Sequence, residues 1–176
     1  MPVAKPLDLP FDPIERAAEI WTERFGPAQA MAAVTSIMRA QQILLAALDG
    51  LLRPHGLTFA RYEALVLLGF SRRGALPLRV IGERLMVHPT SVTNTIDRLE
   101  RDGRGTLAEI TPSGREVMAR STADLMAARF GMADYGTLEL GELFTLLRGL
   151  RVAAGDFRPE PVTPAGEETT PAGAAG

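Results

Sequence analysis

The sequence predicts a mainly α-helical protein built around a helix-turn-helix between residues 75 and 101. Two stripes of apolar residues carry this prediction, each with the spacing of one helix face: Leu78, Ile81 and Leu85, then Val92, Ile96 and Leu99. The turn between the two helices falls at residues 86–87. Pro89 suits the first position of the second helix, because an N–H at that position has no partner within the helix.

The outer face of the second helix has an unusual composition. It carries hydroxyl and amide side chains of low helix propensity at Thr90, Ser91, Thr93 and Asn94, with Arg98 further along. Such side chains suit hydrogen bonds to base edges and phosphates in a DNA major groove. The alternative is an ordinary helical hairpin with a solvated face, but such a face favours Glu, Lys and Ala. We therefore predict a DNA-reading helix.

Composition limits the other function classes. The chain has 176 residues, 46% of them hydrophobic, which is enough for one domain with a core. It has no Cys, which excludes disulfides, thiolate zinc sites and a Cys nucleophile. We expect a cytoplasmic protein without a signal peptide or membrane span. The net charge is −2, yet arginines outnumber acidic residues between residues 72 and 104, where DNA would bind.

Helical patterns flank this segment on both sides. Asp12-Pro13 predicts the start of a helix over 13–25, and a longer one over 28–53 carries two adjacent apolar stripes. A helix with this much apolar surface indicates either a homodimer, in which a second chain covers the helix, or a central helix buried within a monomer. Further helices are predicted over 59–70, with Tyr62, Leu65, Val66 and Phe70 inward, over about 112–130, with Val117, Leu125 and Met126 inward, and over about 138–153. Residues 106–110 alternate like a strand, and residues 75–76 are expected to pair as a short edge strand.

In this order of elements the sequence resembles the MarR (multiple antibiotic resistance regulator) family. The resemblance covers about residues 31–150 and is most specific at 87–100, VHPTSVTNTIDRLE, with support from YEAL at 62–65 and LAEITPSG at 107–114. It implies a mainly α fold with a small β wing, a winged helix-turn-helix whose terminal helices interlock as a homodimer. It also implies binding to a palindromic operator in double-stranded DNA, repression, and release by a small anionic or phenolic ligand.

Composition at the two ends and the resemblance between them together predict five regions of the chain. They are a flexible segment at 1–12, N-terminal and dimerisation helices at 13–57, a winged helix-turn-helix at 58–111, C-terminal dimerisation helices at 112–157, and a disordered tail at 158–176.

The family pattern places a recognition helix at about residues 89–101. The implied DNA-binding residues are His88, Pro89, Thr90, Ser91, Thr93, Asn94, Arg98, Arg72, Arg73, Arg79 and Arg104. For Arg72, Arg73 and Arg79 plain solvated arginines are an equal alternative. The implied ligand-binding residues are Trp21, Arg39, His55 and Arg61. Trp21 resembles a pocket residue of the urate-responsive branch, although a core aromatic that anchors its helix is the preferred interpretation.

The wing departs from the family pattern. Only nine residues, 102–110, separate Arg101 from Thr111, whereas two strands of about 5 residues and a two-residue turn need about 12. A full wing is therefore not expected, and the chain either carries a deletion or lacks a loop here. A deletion predicts weakened DNA binding. The alternative function is accordingly a winged-helix protein-interaction module.

An enzyme is not expected. His55 and His88 lie on separate predicted elements without metal-ligand spacing, and no nucleophile has an evident base beside it. Gly103-Arg104-Gly105 lacks the strand and helix of a phosphate-binding loop. We predict neither a cofactor nor a metal.

Overall fold

The computed structural model describes residues 8–86, 99–102 and 105–159, and the side chains of residues 99–106 are outside this description. The chain divides into two compact units, Met1–Ala133 and Asp134–Gly176. The elements of the first unit are α1 (Pro13–Phe25), α2 (Gln29–Leu52), a 3-10 turn (Arg53–His55), α3 (Phe59–Phe70), β1 (Ala75–Pro77), α4 (Leu78–Leu85), β2 (Leu99–Asp102), β3 (Gly105–Glu109), α5 (Pro112–Ala127) and a second short turn (Arg129–Gly131). The second unit contains α6 (Thr137–Ala153).

Side-chain caps start three of the helices. The Asp12 carboxylate accepts a hydrogen bond from the Ile14 N–H at 2.8 Å, and Thr111 Oγ1 accepts one from the Gly114 N–H at 3.0 Å. Thr58 Oγ1 accepts a longer one from the Arg61 N–H at 3.4 Å. Each cap satisfies an N–H that the helix itself leaves without a partner. The predicted starts of α1, α3 and α5 are thereby confirmed.

One core joins α3, α4 and the sheet. Its buried members are Ala64, Leu65, Leu68, Leu78, Ile81, Ala108 and Ile110, with Leu85 packed against them. The inward positions predicted for α4 are thus confirmed. Phe70 was predicted to be inward but is 81% exposed, because it is the last residue of α3 and the chain turns away at Ser71.

The sheet has three antiparallel strands in the order β1-β3-β2. Leu99–Asp102 form β2, so the prediction of a recognition helix reaching Arg101 is wrong. These backbone groups pair with β3 instead, in a register that ends at Asp102 opposite Gly105. Two residues remain to connect the strands, which is the shortest common hairpin loop. The chain therefore forms a short wing, whose first strand uses residues predicted to be helical and whose second strand contains most of the strand predicted at 106–110.

Helix α2 is largely exposed in the protomer. Leu48 and Leu52 are its buried residues, and the alternative of a central helix buried within a monomer is wrong for this chain. By length and composition the segment Gln29–His55 could cross a membrane, and only 6% of its most apolar stretch is buried. Several of its large apolar side chains, Val34, Met38 and Ile43 among them, are more than half exposed.

Helix α5 ends earlier than predicted. It stops at Ala127, and Arg129, Phe130 and Gly131 follow with φ of 47°, 52° and 75°. Leu125 is buried as predicted, but Met126 is 63% exposed, because the buried face of α5 runs through Ser121 and Leu125, one turn apart, and Met126 lies to one side of it. The Ser121 hydroxyl is satisfied by donating to the Val117 carbonyl at 2.8 Å.

Candidate DNA-binding and effector sites

Most of the predicted DNA-reading residues lie outside the described part of the chain. They are His88, Pro89, Thr90, Ser91, Thr93, Asn94, Arg98 and Arg104. Their roles remain predictions. The structure describes α4 before residues 87–98 and the strands β2 and β3 after them.

Arg79 projects from the first turn of α4. Its side chain is 76% exposed and its guanidinium pairs with the Glu83 carboxylate one helical turn later. A solvent-exposed pair of this kind is worth only about 0.3–0.5 kcal/mol. Arg79 can therefore exchange Glu83 for a DNA phosphate at little cost.

Arg72 and Arg73 lie in a tight turn between α3 and β1, and both are exposed. The Ser71 hydroxyl donates to the Leu68 carbonyl at 2.8 Å, and the Gly74 N–H donates to the Ser71 carbonyl at 3.1 Å. Gly74 has φ +68°, a conformation that glycine adopts without strain. Because Ala75 pairs with Glu109, this turn lies at the end of the sheet opposite the β2–β3 loop.

Arg115, in the first turns of α5, lies beside Arg72 and Arg73 although no sequence motif marks it. A Cβ on Gly74 would collide with the Arg115 guanidinium, so this side chain lies directly over the turn. Arg115 is exposed like Arg72 and Arg73. No local pattern marks it, because its position depends on the Ile110 N–H donating to the Gly74 carbonyl at 2.9 Å.

A second group of polar side chains joins the end of α2 to α3 and α5. His55 Nε2 lies 2.7 Å from Asp124 Oδ2, and the His55 side chain is only 12% exposed. The Asp49 carboxylate accepts a hydrogen bond from the Phe59 N–H at 2.7 Å, which adds a second cap to α3. We call this region the junction. Residues distant in the chain meet here, so the helices are held by polar bonds as well as by apolar packing.

Apolar residues fill the interior of the junction. Leu48, Leu52, Tyr62 and Leu125 are buried together, with Phe59 and Phe130 packed against them. The Tyr62 hydroxyl lies 3.1 Å from Thr122 Oγ1, and the Phe59 and Tyr62 rings stack with centroids 6.1 Å apart. An interior that contains aromatic rings is chemically suited to a small aromatic ligand, and His55 on the turn after α2 offers a hydrogen-bonding group.

The four predicted ligand-binding residues do not all meet. His55 belongs to the junction, and Arg61 is half-buried beside Tyr62 on α3. Arg39 is half-buried near the middle of α2, and Trp21 lies on α1 with its ring centroid 5.0 Å from that of Phe25. Trp21 is 41% exposed, so its interpretation as a core aromatic is wrong for the protomer, since α1 buries none of its described residues.

Burial also affects an acidic residue of α3. The pKa of Glu63 is raised because its carboxyl is partly removed from water. The carboxylate therefore carries a desolvation cost at neutral pH.

Comparison with solved structures identifies the fold. Sco5413 from Streptomyces coelicolor, a MarR family transcriptional regulator, is 61% identical, with a TM-score of 0.69 over 74% of this chain and 98% of that one. The chain belongs to the MarR family of transcriptional regulators. No family model and no curated protein matches it. The predicted winged-helix fold is confirmed, with α4 and the β1-β3-β2 sheet as its described parts.

Two more distant MarR structures share the fold. Sco3205 from Streptomyces coelicolor, solved in complex with DNA, is 24% identical with a TM-score of 0.64 over 77% of this chain and 92% of that one. CouR from Rhodococcus jostii, solved with p-coumaroyl-CoA bound, is 19% identical with a TM-score of 0.58 over 70% of this chain and 92% of that one. At these identities the likeness concerns the fold alone.

Proposed function

We propose that this MarR-family chain is a cytoplasmic, homodimeric DNA-binding repressor that leaves a palindromic operator when a small molecule binds. The observation that carries the proposal is the winged-helix fold, in a chain that matches a MarR family transcriptional regulator at 61% identity with a TM-score of 0.69. The DNA bound to Sco3205 and the p-coumaroyl-CoA bound to CouR support the two kinds of partner.

In this proposal the helix after α4 reads the operator. Thr90, Thr93 and Asn94 contact base edges, where hydroxyl and amide groups discriminate donors from acceptors. Arg79 and Arg98 bind phosphates, which fixes the register without reading sequence. Exposed Arg72 and Arg73 add positive charge on the same winged-helix unit.

The homodimer is supported by exposed apolar side chains in both compact units. On α2 and α6 the large apolar residues that are at least 38% exposed are Val34, Ile37, Met38, Ile43, Leu45, Leu138, Leu143, Phe144, Leu146 and Leu150. No described residue of α6 is buried. Exposed apolar surface of this extent marks an interaction site, and a second copy of the chain is the partner that a palindromic operator requires.

The junction is the proposed effector site. His55 supplies a hydrogen-bonding imidazole in this region, the Phe59 and Tyr62 rings supply aromatic surface, and Arg61 is half-buried on the same helix as those two rings. This combination suits an anionic or phenolic molecule. Arg39 and Trp21 remain candidates for contacts made once two protomers associate.

Fluorescence anisotropy tests the DNA part of the proposal. Labelled duplexes that tile the region upstream of the chain's own gene are titrated at several salt concentrations. Arg79→Gln is expected to weaken binding to every duplex alike. It should also flatten the salt slope by about one unit for each phosphate that the protein no longer neutralises.

Arg120→Gln is the matched control. Arg120 is 63% exposed on α5 and is paired with Glu116 one turn away, as Arg79 is paired with Glu83. Its removal takes away the same charge outside the helix-turn-helix. If the two variants weaken binding equally, Arg79 contributes only its charge and makes no specific phosphate contact. If the chain binds none of the duplexes, the DNA-binding proposal is refuted.

The short wing favours one second candidate, a winged-helix module that acts through protein contacts. Strands of four and five residues and a two-residue loop offer little backbone for phosphate or minor-groove contacts. Lengthening the β2–β3 loop with a longer, arginine-containing hairpin is expected to steepen the salt slope by about two units per protomer. An unchanged slope, together with weak binding by the native chain, would favour the protein-interaction module.

A further inference from the structure

Three exposed arginines gather around the turn between α3 and β1. Arg72 and Arg73 are the central residues of this turn. The Gly74 N–H closes it by donating to the Ser71 carbonyl at 3.1 Å. Arg115 reaches the turn from α5, because its guanidinium lies where a Cβ on Gly74 would be. Like charges held this close repel one another, and this repulsion favours the binding of an anion.

The three arginines have no acidic partner in the described part of the chain. No carboxylate among the described residues lies within ion-pair distance of Arg72, Arg73 or Arg115. Arg79 and Arg120, by contrast, each pair with a glutamate on their own helix. The guanidinium groups at the turn can therefore bind an external carboxylate or phosphate without first giving up a partner.

Phe70 adds an apolar group to the same place. It is the last residue of α3 and is 81% exposed. Because it directly precedes the turn, its Cα lies within about 8 Å of the Arg72 Cα. Aromatic side chains and arginine are the residue types most enriched at protein–protein interfaces. We call Phe70, Arg72, Arg73 and Arg115 the arginine patch.

The arginine patch lies at the end of the sheet away from the wing loop. Ala75 pairs with Glu109 at the patch end. Asp102 pairs with Gly105 at the loop end. The stretch of β3 from Gly105 to Glu109 spans about 14 Å at the rise of an extended strand. The patch is thus separate from the surface that the wing loop presents.

Neighbouring acidic residues limit the kind of anion that fits. Glu109 at the end of β3 and Glu116 beside Arg115 are both exposed. They oppose a long polyanion such as a nucleic-acid strand, whose phosphates follow one another without interruption. A short protein segment can instead place a few carboxylates on the guanidinium groups and an apolar side chain on the ring.

We propose that the arginine patch docks a short acidic segment of a partner protein. The segment's carboxylates accept paired hydrogen bonds from the forked guanidinium groups. One large apolar side chain of the segment packs on Phe70 and removes its ring from water. The segment brings a second protein to the winged-helix unit, a role beyond the proposed binding of operator and effector.

Fluorescence anisotropy with short labelled peptides and the full-length chain, without duplex DNA, tests this docking. The first peptide has several glutamates on both sides of a single leucine. In the second peptide glutamine replaces each glutamate, and in the third serine replaces the leucine. The native chain is expected to bind the first peptide at low salt and the other two several-fold more weakly. Binding of the first peptide should weaken as salt is raised.

Substitutions in the patch should weaken binding of the first peptide. Arg73→Gln or Arg115→Gln should each raise its Kd about twofold to fivefold, the range of one exposed ion pair. Phe70→Ser should raise it about tenfold, because the leucine loses its apolar contact. Arg120→Gln and Phe11→Ser are the matched controls, since they remove a 63% exposed arginine side chain and a 57% exposed phenylalanine elsewhere. All these positions are exposed, so each variant should melt near the native temperature.

The proposal is overturned if the native chain binds neither the first nor the second peptide, or binds both equally. It is also overturned if Phe70→Ser binds the first peptide as the native chain does. Single-stranded oligothymidylate is the competing probe. If it binds more tightly than the first peptide and is weakened by the same arginine substitutions, the patch is a nucleic-acid site instead. Because no duplex is present, these results stand whether or not the chain binds an operator.

Discussion

Replacing Gly74 by alanine should destabilise the winged-helix unit by more than the addition of a single methyl group suggests. Gly74 has φ +68°, and a left-handed conformation costs a residue with a Cβ about 1 kcal/mol or more. The new Cβ would also lie 3.3 Å from Ile110 Cγ2, so this core side chain must shift. Forcing such a shift in a packed core adds about 1 kcal/mol.

The contact with Arg115 contributes less to the cost. Arg115 is exposed, and its guanidinium is the flexible end of a long side chain that can swing into solvent. We therefore expect a total of about 2 kcal/mol, almost all of it from the backbone and Ile110. Adding Arg115→Ala to Gly74→Ala should recover less than about 0.5 kcal/mol, the range of an ordinary surface substitution.

Urea unfolding at one fixed protein concentration measures this loss. Gly50→Ala is the control, because Gly50 lies inside α2 with nothing within 4 Å of an added Cβ. That substitution should stabilise the chain by about 0.5–1 kcal/mol, the difference between glycine and alanine in a helix. If Gly74→Ala and Gly50→Ala stabilise the chain equally, the reasoning is refuted. If Arg115→Ala recovers most of the loss, the cost arises from the contact with Arg115 and not from the backbone and Ile110.

Three further predictions concern stability and assembly. Glu63→Gln should raise the melting temperature at neutral pH. Because the folded pKa of Glu63 is raised, the native state binds more protons than the unfolded state above the ordinary value of 4.5, and stability is lost as pH rises. The gain should therefore vanish in a melting series below that pH, and a gain of the same size at all pH values would contradict a titration effect. Met86→Asn should stabilise by a few tenths of a kcal/mol to about 1 kcal/mol in thermal unfolding, because Met86 has φ 52° and Asn tolerates this conformation better; a lower melting temperature would show that Met86 makes contacts worth more than the strain. Leu146→Glu should shift the proposed dimer towards monomer in sedimentation velocity, since Leu146 is 74% exposed on α6 and a charge there opposes burial, whereas Glu142→Gln on the same helix should not; a Leu146→Glu chain that sediments like the native one would place the interface elsewhere.

Local signals predicted the helices well. Asp12-Pro13, Thr58 and Thr111-Pro112 marked three helix starts, because a cap acts on N–H groups within three residues of itself. The hairpin was missed for the opposite reason. Leu99 continues the helical stripe of Val92 and Ile96, and only pairing with β3 shows that Leu99–Asp102 form a strand.

Hydrophobic periodicity also predicted the apolar face of each helix, but not which part of the protein packs against that face. Phe70 and Met126 have helical spacing with core residues, yet both are exposed, and Trp21 does not reach the core. A stripe identifies the side of a helix on which apolar residues lie, but its burial depends on what packs there. The exposed apolar residues of α2 agree with the prediction of a helix too apolar for a lone protomer.

The roles of the candidate site residues stay predictions. Arg72, Arg73 and Arg79 are exposed on the winged-helix unit, as a role with DNA requires. The pairing of His55 with Asp124 had no signal in the sequence, because 69 positions separate the two residues. The left-handed turn Arg129–Gly131 was equally hidden, since no local sequence signal requires a positive φ at Phe130.

In the proposed function, two copies of this chain bind one DNA duplex through their winged helices. Sedimentation equilibrium of the full chain, mixed with duplexes from the region upstream of its gene, measures this directly. The predicted result is a complex of two chains per duplex that dissociates as salt is raised and is weakened by Asn94→Ala. A folded dimer that leaves every duplex unbound at low salt, or a complex unaffected by Asn94→Ala, would contradict it.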